Sequence, residues 1–75
     1  MSALTRARNE LGLSIEEAAR ELGIPAGYLS EIENGKRGVS SERADQIARL
    51  VKKKKEEIFL PTRYAIRKDF ENNTA

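Results

Sequence analysis

The sequence predicts an all-α protein, a compact bundle of four to five short helices, on three observations. Its 75 residues leave room for one domain with a small aliphatic core, since 39% of them are hydrophobic and only 5% aromatic. Apolar residues recur at spacings of three and four along much of the chain, with capping residues ahead of the runs and glycine behind several of them. Residues 11–36, LGLSIEEAARELGIPAGYLSEIENGK, read as two short helices joined by a tight turn.

The first helix is predicted over Ala3–Glu10, where Leu4 and Ala7 share a face with Leu11, and Gly12 stops it. Ser14 opens the second helix, Ile15–Leu22, with Glu17 three residues on completing a capping box and Leu13 facing Ala18 as a staple. Ile15, Ala18, Ala19 and Leu22 form its apolar face; the small alanines permit close helix approach, and Gly23 ends the helix in a left-handed turn. Ile24 turns inward and Pro25 presets the backbone for a third helix, whose buried stripe is Leu29 and Ile32 and whose end is Asn34-Gly35.

Ser40 caps a fourth helix, with Glu42 at its positive end and Ala44, Ile47, Ala48 and Val51 at helical spacing. The four lysines at 52–55 precede Glu56-Glu57 and the apolar Ile58-Phe59-Leu60, which anchors a final short helix ended by Pro61. The chain divides into a helical domain over 1–60 and a C-terminal tail over 61–75. In the tail, the weak alternation at Tyr64 and Ile66 leaves an edge strand, a short helix and a mobile end all open.

Charge and composition exclude several classes. With neither His nor Cys, disulfides and the common soft metal sites are ruled out, so a second subunit is the remaining source of extra stability for so small a core. The chain lacks a signal-peptide pattern and any run of membrane-spanning length, which fits a cytoplasmic protein with no membrane partner. Glu16-Glu17 and Glu56-Glu57 are adjacent in sequence and so do not share a helix face, and no glycine-rich phosphate loop is present; an enzyme and a cofactor are not expected. Net charge is only +2, but residues 1–35 carry 3 basic and 6 acidic side chains whereas 36–68 carry 11 and 4. The positive field sits in the second half.

The marks L-G-L-S before the second helix, Ala19 and Gly23 at the turn, Leu29 and Ile32 in the third helix, and E-N-G-K at 33–36 resemble the Cro and phage-repressor (XRE-type) helix-turn-helix family over roughly residues 4–59. The resemblance implies a lambda-repressor-like DNA-binding domain with a structural ion pair between Arg8 and Glu33. It also implies that the third helix presents Ala26, Gly27, Tyr28 and Glu31 to base edges, while Lys36 and Arg37 grip the phosphate backbone. Here the chain departs from its relatives: Ala26 and Gly27 carry no side-chain donors, Pro25 replaces a Ser or Thr cap, and Ile15 stands where relatives place a phosphate-binding Gln, leaving Ser14 to supply part of that clamp. Glu31 is the one polar base reader, accepting from cytosine or orienting a neighbouring basic residue.

The function implied is a sequence-specific transcriptional regulator, a repressor of phage or mobile-element type, bound as a homodimer to double-stranded DNA at a palindromic operator. The apolar stripe at Ile47, Val51, Ile58 and Phe59, extended by Tyr64, Ile66 and Phe70, combines core with the region where relatives dimerise. The alternative is a module for a protein partner, such as a toxin-neutralising antitoxin or an anti-repressor adaptor, which the acidic first half and the donor-poor Ala26-Gly27 motivate.

Overall fold

In the computed structural model, residues 2–60 and 65–67 are described. Five α-helices follow in order: α1 Ala3–Glu10, α2 Ile15–Leu22, α3 Ala26–Glu33, α4 Ser41–Leu50 and α5 Lys55–Ile58. α2 packs on α3 and α4, and α5 bridges α4 and α1, so the helices close around one core.

Local chemistry accounts for where these helices start. The Ser14 hydroxyl accepts from the Glu17 amide at 3.0 Å while the Glu17 carboxylate accepts from the Ser14 amide at 2.9 Å, satisfying two orphan donors of α2. Ser2 and Ser40 cap α1 and α4 in the same way, accepting from the amides of Thr5 and Arg43. Pro25 precedes α3 with no side-chain cap, in extended backbone at φ −65°. At α5 the Lys54 amide donates to the Glu57 carboxylate at 3.0 Å.

Left-handed backbone shapes the turns between several helices. Gly23 ends α2 at φ +72°, its amide reaching back to Arg20 O, so the chain reverses sharply into α3. After α4 the left-handed position is held by Lys52 at φ +60°, a residue type without glycine's freedom.

The core is aliphatic with one aromatic: Leu4, Ala7, Ala18, Ala19, Leu29, Ile32, Ala44, Ile47, Val51, Ile58, Phe59 and Ile66. Ala18 and Ala19 let α2 approach its neighbours closely, as their small size predicts. Leu11 departs from expectation. It is 41% exposed despite its spacing from Leu4 and Ala7, because α1 ends at Glu10 and Leu11 sits on the turn rather than on the helical face. Leu22 is only partly buried, at the last turn of α2.

The last helix also stops earlier than predicted. Phe59, and not Pro61, terminates α5, because its backbone is extended (φ −120°, ψ 146°) and pairs antiparallel with Ile66. The Leu60 amide donates to Ala65 O and the Arg67 amide to Ile58 O, both at 2.8 Å, and the Ala3 amide donates to Arg67 O at 2.8 Å. Of the three conformations left open for the tail, residues 65–67 take the strand-like one, and buried Ile66 ties the tail to the start of α1. Tyr64 and Phe70, offered as extensions of a dimer contact, lie outside the described residues.

Candidate nucleic-acid interface

The helix-turn-helix is α2, the Gly23 turn and α3. α3 is anchored from below by Leu29 and Ile32, 1% and 0% exposed, and by an ion pair beneath its last turn. There Arg8 Nε donates to Glu33 Oε2 at 2.8 Å and Nη2 to Oε1 at 3.2 Å; Thr5 Oγ1 donates to Oε1 at 2.8 Å. Arg8 Nη1 also donates to Leu13 O at 2.8 Å. The Arg8–Glu33 pair therefore joins α1, the loop before α2 and the end of α3, with the acceptor sites of the carboxylate well used. Such a pair fixes geometry more than it adds stability, since desolvation offsets much of the attraction.

A second anchor crosses from α4. Arg43 Nη1 donates to Leu22 O at 3.2 Å, satisfying a carbonyl at the C-terminus of α2 from a residue 21 positions away. The excess of Arg at helix ends is no more than a weak hint of this bond; its partner is a tertiary fact.

On the outer surface, Gly27 is exposed, and a Cβ added there meets nothing within 4 Å. Among the described residues no packing requires glycine at this position. Ala26 and Tyr28 are half-buried and lean on the core, so of the four α3 positions assigned to base edges these two are shared with the fold. Glu31 projects one turn beyond Gly27, and Lys36 and Arg37 are exposed on the loop after α3. That loop is closed by the Lys36 amide donating to Glu31 O at 2.9 Å and the Gly35 amide to Ile32 O at 3.1 Å.

Arg37 is held by its neighbours. Its Nε donates to Glu31 Oε1 in an ion pair, and its guanidinium carbon lies 5.3 Å from the centroid of the Tyr28 ring. The hydrogen bond and charge of Glu31 push the Arg37 pKa above its ordinary value, so it remains a cation. Sequence reading offered Glu31 as accepting from cytosine or orienting a neighbouring basic residue; the fold pairs it with Arg37 and sets the Tyr28 ring beside them.

Ser14 is exposed at the N-terminus of α2, where its oxygen accepts from the Glu17 amide. The Glu17 carboxyl is held below its ordinary value of 4.5, first by the hydrogen bond from the Ser14 backbone and then by that from its side chain. The lysine run is partly spoken for: Lys53 pairs with Glu10 at 3.5 Å, and Lys55 with Asp45 at 3.1 Å and the Ser41 hydroxyl at 3.1 Å. Among the described residues no cluster of His, Cys, Asp and Glu can hold a metal ion, and no helix is long and apolar enough to cross a membrane.

Residues 4–58, nearly all of this architecture, match the helix-turn-helix family HTH_3. The chain belongs to this XRE-type family. Its fold, five helices with α2 and α3 as the helix-turn-helix, agrees with the lambda-repressor-like arrangement, and the domain is a DNA-binding one. Among curated proteins the chain is similar to virulence-associated protein A' of Dichelobacter nodosus, 46% identical over 39 residues that make up 52% of this chain and 34% of that protein. The match thus spans about a third of the relative's length. No solved structure is significantly similar to the chain.

Proposed function

We propose that this protein is a sequence-specific, cytoplasmic transcriptional regulator without catalytic activity or cofactor, a repressor of phage or mobile-element type that binds a palindromic operator as a homodimer. The observation that carries the reading is the outer face of α3. Gly27 is exposed and Glu31 half-exposed there beside the loop cations Lys36 and Arg37, on a helix whose underside is locked to the core by Leu29, Ile32 and Glu33. A rigid helix with a bare first turn enters a major groove at low steric cost, and the flanking cations sit where the backbone of the same groove passes.

In this reading Lys36 and Arg37 take phosphates, Ser14 and the α2 amides take another at a helix N-terminus, Ala26 meets a thymine methyl, Tyr28 meets sugar or phosphate, and Glu31 accepts from a base. With so few donors, much of the discrimination falls to DNA shape. Two copies related by a two-fold axis place their α3 helices in successive major grooves about 34 Å apart.

Selection of bound duplexes from a random pool, followed by mobility shifts across a salt series, tests the reading. The expected result is an inverted repeat with half-site centres about 10 base pairs apart and an affinity that falls steeply with salt. Absence of any shift at low salt, including with the protein's own promoter, overturns it in favour of a protein-binding module such as an antitoxin.

A further inference from the structure

The cluster of Tyr28, Glu31 and Arg37 has a consequence for specificity, and it rests on the DNA-binding reading above. Arg37 is one of two cations on the loop beside α3, and in the free protein its charge is already met by Glu31, on the face that would contact DNA. Both side chains are about half exposed, Arg37 at 55% and Glu31 at 46%, so the pair opens at little cost. The tether is short and directional: the backbone of Lys36 is fastened to Glu31 O, so the Arg37 side chain starts beside the carboxylate and has the Tyr28 ring to lie on.

We propose that Glu31 is a specificity-determining residue that withholds Arg37 from arbitrary phosphates and releases it where a cytosine faces α3. When Arg37 moves to a phosphate, Glu31 loses its donor in a groove lined by acceptors and flanked by negative charge. The cytosine N4 amino group is the major-groove donor that offers the carboxylate a replacement without an acceptor alongside. At a cytosine the exchange keeps every charged group partnered, since Arg37 trades carboxylate for phosphate and Glu31 trades guanidinium for amine. At thymine or guanine the carboxylate meets only acceptors, and the exchange leaves it stranded. The ion pair thereby converts a non-specific contact into a conditional one.

The test is fluorescence anisotropy with the full chain on two duplexes, one of random sequence and one selected from the pool, from about 50 to about 200 mM salt. Four proteins are compared: wild type, Glu31→Gln, Arg37→Gln and the double variant, with far-UV circular dichroism to verify that each is folded. Glu31→Gln is expected to bind the random duplex about threefold to tenfold more tightly and to steepen the slope of log K against log salt by about 0.9, the signature of one more neutralised phosphate. The gain is expected to vanish in the double variant. In a repeated selection, one position of each half-site is expected to move from cytosine to adenine, the base that pairs with a glutamine amide.

If wild type binds DNA but Glu31→Gln leaves the random-duplex affinity and slope unchanged, this inference is overturned and the DNA-binding reading stands. If neither protein binds either duplex at low salt, the DNA-binding reading fails and this inference falls with it.

Discussion

Removing Arg8 should cost this domain far more than removing Arg8 and Glu33 together. Glu33 is 6% exposed and Arg8 13% exposed, and the carboxylate accepts three hydrogen bonds, two from the guanidinium and one from Thr5. Arg8→Met keeps the aliphatic stem but leaves a buried charge with Thr5 alone. Stranding a buried charge in this way costs about 3–5 kcal/mol. A chain of 75 residues at roughly 0.05–0.15 kcal/mol per residue holds only about 4–11 kcal/mol in all. The single variant therefore loses about a quarter or more of its stability. At about 4–8 °C per kcal/mol for a domain of this size, its Tm drops by at least ~12 °C.

The double variant Arg8→Met, Glu33→Leu strands no charge. What it forfeits is the guanidinium bond to Leu13 O, worth about 1 kcal/mol, whereas Thr5 retains the Ser2 hydroxyl at 2.9 Å. Its stability should fall within about 2 kcal/mol of wild type, so with each single variant costing about 3–5 kcal/mol the double-mutant cycle should return a coupling of at least about 4 kcal/mol. Urea unfolding followed by far-UV circular dichroism, extrapolated linearly to water, measures all four corners. Single variants that each cost less than about 1 kcal/mol, with a double variant equal to their sum, would refute the argument that desolvation governs this pair.

Two further predictions concern α3 and α2. Gly27→Ala should stabilise the fold by about 0.5–1 kcal/mol, visible as a raised Tm, because glycine weakens a helix and the added methyl meets nothing within 4 Å; a lowered Tm would show that the position needs glycine for the fold itself. The Glu17 carboxyl is depressed below 4.5 in the folded state, so the unfolded chain binds more protons there, and the stabilisation it lends is complete above that pH and lost as pH falls through the folded value. Glu17→Gln retains an acceptor for the Ser14 amide and should flatten the acid limb of a stability profile below about pH 4.5 while changing little at neutral pH, as urea titrations at a series of pH values will read out.

Much of the fold was legible because the signals that build it act within a few residues. The capping box of Ser14 and Glu17, the left-handed stop at Gly23 and the caps at Ser40 and Asn34-Gly35 each depend on partners three or four positions away, and their helices stand where that chemistry puts them. The Arg8 and Glu33 contact, 25 positions apart, was reached by resemblance to a family; no spacing rule yields it.

Amino-acid order by itself determined the five helices, the aliphatic stripes that join them and the helix-turn-helix marks over residues 4–58, since periodicity and capping are written locally. Tertiary structure decided which charges meet: Arg43 on the end of α2, Lys53 on Glu10, and Arg37 on Glu31 above Tyr28. It also decided that Leu11 faces outward, that Phe59 ends α5, and that Ile66 returns to pair with it. The reason is range. Such contacts depend on how whole helices are oriented around the core, and a charge or an extended residue chooses its partner only after that packing has brought the two within reach.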